Sequence, residues 1–170
     1  MSKKFIPMSR RILGIDPGYG RIGLAVLEKT SREETLLHSE CFETEPKLEP
    51  SERLLLITKY LGKIIKKFKP NELAIETLLW GENKKTAMQV AEARGALINE
   101  AAKKNILIRE FNPNQVKLAI TGYGKSDKKQ IADMVKKLLK LPDKKRYDDE
   151  YDAIAIALTC AAISLSTDTF

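Results

Sequence analysis

Residues 10–29 read RRILGIDPGYGRIGLAVLEK. Two apolar runs, RILGID and RIGLAVLEK, flank a turn made by Pro17, Gly18, Tyr19 and Gly20, the pattern of paired strands. Asp16 is the anomaly in it. A buried strand avoids a carboxylate because an unpaired charge is costly to desolvate. Asp16 is therefore either a turn residue or a ligand held at the strand's end.

Working outward, ETLLHSECFET (34–44) reads as a third strand after a polar turn at Ser31–Glu34. Short turns join the three strands, which predicts an antiparallel meander. EPKLEP (45–50) is a breaker. From Ser51, a candidate N-cap, to Lys69, apolar residues recur near the 3.6 period, and Pro70 ends the helix. ELAIETLL (72–79) is a short fourth strand, joined to the third by a helix and so by a parallel-type crossover. A long helix is expected from Asn83 to Lys104, with a small-residue stripe suited to close helix packing or to lying on the sheet. NILIREF (105–111) is a fifth strand. Short helices are expected from Pro113 to Ile120 and over 128–140, the second after the loop TGYGKSD (121–127). A final helix runs from Asp149 to Leu165. Three antiparallel strands followed by two parallel ones, with helices between them, predict a mixed five-stranded α/β sheet covered on both faces. That is the pattern of the ribonuclease-H-like fold, in which strand one is central.

The chain has 170 residues and fits one domain over 11–165, with 1–10 and 166–170 as disordered tails. Such a domain buries enough surface to need no staples. Cys41 and Cys160 form no metal or CxxC spacing and read as core thiols of a reducing compartment. His38 reads as a strand residue. No run approaches a membrane span and no signal peptide is visible, so a cytoplasmic setting is expected. The net charge of +7 is unevenly spread: residues 125–146 hold nine Lys or Arg against three Asp. Lys59, Lys63, Lys66, Lys67 and Lys69 form a second run without acids. A small domain carrying several basic helices suits a phosphate backbone as partner.

Four carboxylates stand in unusual places. Asp16 ends strand one, Glu76 interrupts strand four, and Asp149 and Asp152 lie three apart on one side of the last helix's first turn. Singly, each has an ordinary explanation: a turn, an outward-facing strand position, or an acid favoured at a helix N-terminus. Jointly they do not. Acids on neighbouring strands repel and hold their protons unless cations neutralise them. A hard divalent cation with oxygen ligands does this.

The segments ILGIDPGYGRIGLAV, LAIETLL, AMQVAEARGAL, ITGYGKSDKKQI and YDDEYDAIAIALT, taken in order, resemble the RuvC family of Holliday-junction resolvases. The resemblance spans about residues 11–165. It implies a homodimeric, Mg2+-dependent endonuclease of recombination and repair, acting on four-way junction DNA beside a branch-migration helicase. It also implies two ions per active site, with Mn2+ as a substitute, and paired nicks in strands of like polarity. The family's four catalytic, metal-binding acids fall on Asp16, Glu76, Asp149 and Asp152, while Asp148 and Glu150 flank the last pair. Lys117 and Lys128 match its DNA-contacting lysines, with Lys125 nearby. The aromatic wedge of well-studied members is replaced by Leu79, with Trp80 beside it, and Trp80 is expected to supply some of the stacking. Rival readings are a related nuclease acting on structured RNA, a non-catalytic junction-binding protein, and an actin-like ATPase, for which 170 residues leave no second domain.

Overall fold

The computed structural model describes residues 9–78 and 84–163. Five strands form one sheet: β1 (Arg10–Pro17), β2 (Arg21–Lys29), β3 (Glu34–Glu43), β4 (Glu72–Glu76) and β5 (Leu107–Phe111). Their order is β3-β2-β1-β4-β5. The β1–β2 and β2–β3 pairs are antiparallel, and β1–β4 and β4–β5 are parallel. This is the ribonuclease-H-like arrangement, with β1 in the middle.

The alternation of side chains along a strand sorts the sheet into two faces. Leu13, Ile15, Leu24, Val26, Leu73 and Ile75 face α1 (Pro50–Phe68) and α2 (Lys84–Ala102) in one buried cluster. Ile12, Ala25, Leu27 and Ala74 face the other cluster, built with α3 (Pro113–Thr121), α4 (Lys128–Leu138) and α5 (Asp148–Ala162). Part of the small-residue stripe of α2, at Ala93 and Ala101, is buried against the sheet.

Glycine decides how close α5 lies. A Cβ on Gly14 would collide with the Ala153 carbonyl and stand 2.8 Å from the Ala157 Cβ; one on Gly23 would overlap the Asp149 carbonyl. The helix therefore rests directly on the backbones of β1 and β2, through its own alanines.

Element ends shift by a few residues (β4, expected over 72–79, ends at Glu76), and three further points differ from expectation. Arg10, assigned to the tail, opens β1 and is buried, because its guanidinium pairs with Glu72 (2.6 Å) and donates to the Cys160 carbonyl (3.0 Å). Ser51 is not the cap of α1. Glu49 is, with Pro50 in the first turn and the Glu49 N–H donating to the Glu52 carboxylate (3.2 Å). Cys160 is buried as a core thiol, but Cys41 is only half-buried, its sulfur 3.9 Å from Asp149. Residues 1–8 and 164–170 lie outside the described residues, and with them most of the expected N-terminal tail, all of the C-terminal one and the expected end of the last helix, as do Leu79 and Trp80. His38 is a strand residue, paired with Glu40 (2.8 Å) and stacked on Phe68. Among the described residues no helix is long and apolar enough to cross a membrane.

Candidate active site

Asp16 follows Ile12 and Gly14 on the α5 side of β1, and Glu76 follows Ala74 on the same side of β4. The parallel register runs Ile12 to Glu72 through Ile15 to Ile75, so both acids emerge at the same end of neighbouring strands. The first two turns of α5 bring Asp149 and Asp152 over that end. A cavity of about 480 Å3 opens there. Asp16, Glu76 and Asp152 line it, together with Lys117 from α3 and Lys128 from α4. Asp149 is close enough to act on the charge of Asp16 but does not line the cavity.

Two contacts fix Glu76. Arg94, from α2, donates to its carbonyl (2.9 Å) and pairs with Glu110. The Thr77 N–H donates to the Phe111 carbonyl (2.8 Å), carrying the β4–β5 ladder past the acid. The turn after Asp16 is held by Arg53, a buried residue of α1. Its guanidinium donates to the carbonyls of Tyr19 (3.3 Å) and Glu45 (3.0 Å) and lies over the Tyr19 ring. On the facing wall, the hydroxyls of Thr121 and Ser126 meet at 2.5 Å and shape the loop before Lys128.

The charges crowd one another. Burial, then the charges of Asp152, Glu76 and Asp149, push the Asp16 carboxyl up to about 8. Burial and Asp152 raise Glu76 to about 7, against the pull of Lys128 and Lys117. Asp152 is also raised, chiefly by burial, although Lys128 opposes this from 3.5 Å. These carboxyls hold protons more tightly folded than unfolded. They therefore stabilise the fold at low pH, and that contribution is lost as pH climbs through about 7 and 8. The gradient is about 1.4 kcal/mol per pH unit for each proton taken up on folding. Melting in EDTA is thus expected to fall in temperature from pH 5 to pH 9, and to fall less in Asp16→Asn. Divalent cations should restore more at pH 9 than at pH 6. Equal pH dependence in both proteins would mean that Asp16 is not crowded.

A donor set made of carboxylate oxygens, crowded enough to retain protons, suits a hard divalent cation. As they lie, no three His, Cys, Asp or Glu groups among the described residues are close enough to ring one ion. The helical pair is drawn to basic partners instead: Asp152 to Lys128, and Asp149 to Arg21 at 3.1 Å. The structure also separates the flanking acids. Glu150 is buried and committed to Ser39 (2.6 Å) and Arg146 (3.2 Å), while Asp148 is exposed. Lys117 and Lys128 border the cavity; Lys125 is exposed and does not line it. Sequence reasoning missed Arg21, Arg53 and Arg94. The only visible signals were an arginine after the Gly20 turn, one in the first turn of α1, and one inside the small-residue helix.

Comparison with known proteins agrees with this geometry. The family model described as crossover junction endodeoxyribonuclease RuvC matches residues 12–160. The enzyme of that name from Thermotoga maritima is 42% identical over 149 residues, covering 88% of this chain and 89% of its own. The one from Petrotoga mobilis is 46% identical over 146 residues, covering 86% and 90%. Among solved structures, Thermus thermophilus RuvC in complex with Holliday junction substrate superposes with a TM-score of 0.82 at 32% identity, covering 90% of this chain and 92% of that one. The yeast mitochondrial Holliday junction resolvase Ydc2 shares the fold, with a TM-score of 0.67 at 16% identity, covering 91% and 78%.

Proposed function

The chain belongs to the RuvC family of crossover junction endodeoxyribonucleases, and from that premise we propose that it resolves four-way Holliday junctions by paired symmetric nicks, with Asp16, Glu76, Asp149 and Asp152 as its cation-holding acids. Family membership makes it a metal-dependent endonuclease of recombination and repair. The observation that carries the assignment of residues is the cavity where Asp16, Glu76 and Asp152 meet two lysines. We take the metal to be Mg2+, two ions per site, with Mn2+ as a substitute, and the setting to be the cytoplasm.

When bound, the cations supply activation of a water and stabilisation of the leaving 3′ oxygen. The chain's own groups do the rest. Asp16 and Glu76 offer oxygens from rigid strand ends. Arg94 holds the Glu76 backbone, and the close seat of α5 sets the height of Asp149 and Asp152 above the sheet. Lys117 and Lys128 stand on the opposite wall of the cavity, where their ammonium groups would bind the backbone phosphates of the cut strand and hold it against the acids. Lys125, on the exposed loop, would reach a more distant phosphate.

Paired nicks require two active sites, and a twofold homodimer supplies one per strand. We assign Leu79 and Trp80 to opening the junction centre, where an aromatic stack on a base is worth ~1–3 kcal/mol. A branch-migration helicase would deliver the substrate.

The test is cleavage of a synthetic four-way junction, a linear duplex and a structured RNA, each with Mg2+ and with EDTA. The junction alone should be cut, only with Mg2+, in two strands of like polarity that ligase reseals. Preferential cutting of the RNA would reassign the protein to another nuclease function.

A further inference from the structure

Arg21 opens β2, directly after the turn that follows Asp16. It lies two residues before Gly23, on the α5 side, and its side chain is half exposed at the rim of the site. Its guanidinium is 3.1 Å from the Asp149 carboxylate, 4.0 Å from Glu43 and 5.8 Å from the centre of the Tyr147 ring. It contacts the same oxygen of Asp149 that the Cys41 sulfur approaches. Asp149 is the one acid of the four that does not line the cavity.

We infer that Arg21 is a positioning residue exchanged between two anions: in the free protein it is the counter-ion of Asp149, and on DNA it passes to a backbone phosphate and releases Asp149 toward the cation. This rests on the reading of Asp149 as a cation ligand. The chemistry of the exchange is plain. A guanidinium fork fits a carboxylate and a phosphate equally well. An ion pair this exposed shifts an equilibrium only a few-fold, so a phosphate can replace the carboxylate. While Arg21 stays, it occupies an Asp149 oxygen and adds a positive charge where a cation would sit. Lys128 makes the matching contact with Asp152 from the opposite wall. The D-x-x-D pair thus carries two internal cations, one from β2 and one from α4. The exchange couples the two ligands: DNA draws off the internal cation and so favours the metal ion, and the metal ion favours DNA in return.

The experiment compares wild type, Arg21→Ala, Arg21→Lys and Asp149→Asn. Calorimetric titration of Mn2+ into DNA-free protein reads the first half, and junction affinity in EDTA at several salt concentrations reads the second. Arg21→Ala should bind Mn2+ about two- to five-fold tighter. It should bind the junction more weakly, with a salt slope shallower by about one unit. Arg21→Lys should stay close to wild type in both. Unchanged or weaker Mn2+ binding by a folded Arg21→Ala would overturn the clamp, and unchanged junction affinity would overturn the exchange. Asp149→Asn separates the two levels. If it loses Mn2+ affinity while Arg21→Ala leaves it unchanged, the exchange is wrong and the ligand set stands. If Asp149→Asn keeps wild-type Mn2+ affinity and cleavage, the ligand reading itself fails.

Discussion

Asp16→Asn is expected to reduce junction cleavage by roughly three orders of magnitude or more, the scale on which loss of a transition-state-stabilising group registers. It is expected to keep or modestly raise junction affinity in EDTA and to raise the melting temperature of the metal-free protein at pH 8. The three effects have one origin. Asp16 is half-buried at the end of the central strand, and Asp152, Glu76 and Asp149 all act on its charge. Without a cation, that charge opposes folding and repels phosphate, so its removal relieves both. In the proposed function it holds a cation, a role the amide cannot fill. Asparagine is close in shape, so the backbone of β1 need not move. Cleavage near the wild-type rate would remove Asp16 from the chemistry. A lower melting temperature together with lost DNA binding would make it a structural residue.

Gly23→Ala is expected to cost about 3 kcal/mol or more, the upper range of overpacking penalties. For a chain of this size that is a fall of roughly 6–12 °C in melting temperature. The new methyl would overlap the Asp149 carbonyl, with the Ala153 Cβ 3.3 Å away. These are groups of a buried helix and have little freedom to give. Because the collision is with Asp149 itself, α5 relaxes by lifting its N-terminal end, which carries Asp149 in the first turn and Asp152 in the next. Cleavage should therefore drop by more than the loss of folded protein explains. Gly20→Ala is the control: nothing lies within 4 Å of a Cβ there, and neither property should change. A Gly23→Ala protein as stable and active as wild type would mean that α5 is not seated on β2 as described.

The elements legible from sequence are those whose signal is local. The apolar runs RILGID and RIGLAVLEK, separated by a four-residue turn, pair β1 with β2 as an antiparallel hairpin. The 3.6 period of α1 and the charged start of α5 are equally self-contained. Asp16 and Glu76 stood out because a carboxylate in an apolar run is an exception that needs a cause, and Asp149 and Asp152 because a spacing of three puts them on one side of a helix. What could not be read was interaction across sequence distance. Arg10 looks like part of a basic leader until Glu72, 62 residues away, is beside it. Arg21 and Asp149 are 128 positions apart and meet only because Gly14 and Gly23 let α5 lie on the sheet. Glu150 was indistinguishable from its neighbours until Ser39 and Arg146 engaged it. Helix capping failed for a smaller reason: Ser51 has the better side chain for the role, but Pro50 fits the first turn, which moves the cap to Glu49.

The most direct measurement is anomalous diffraction from crystals of the protein grown with Mn2+ and junction DNA. Two anomalous peaks are expected per protomer, both bounded by Asp16, Glu76, Asp149 and Asp152, with Asp16 shared between them and Arg21 moved from Asp149 to a phosphate. Manganese bound elsewhere, with these four carboxylates unligated, would contradict the assignment of the active site.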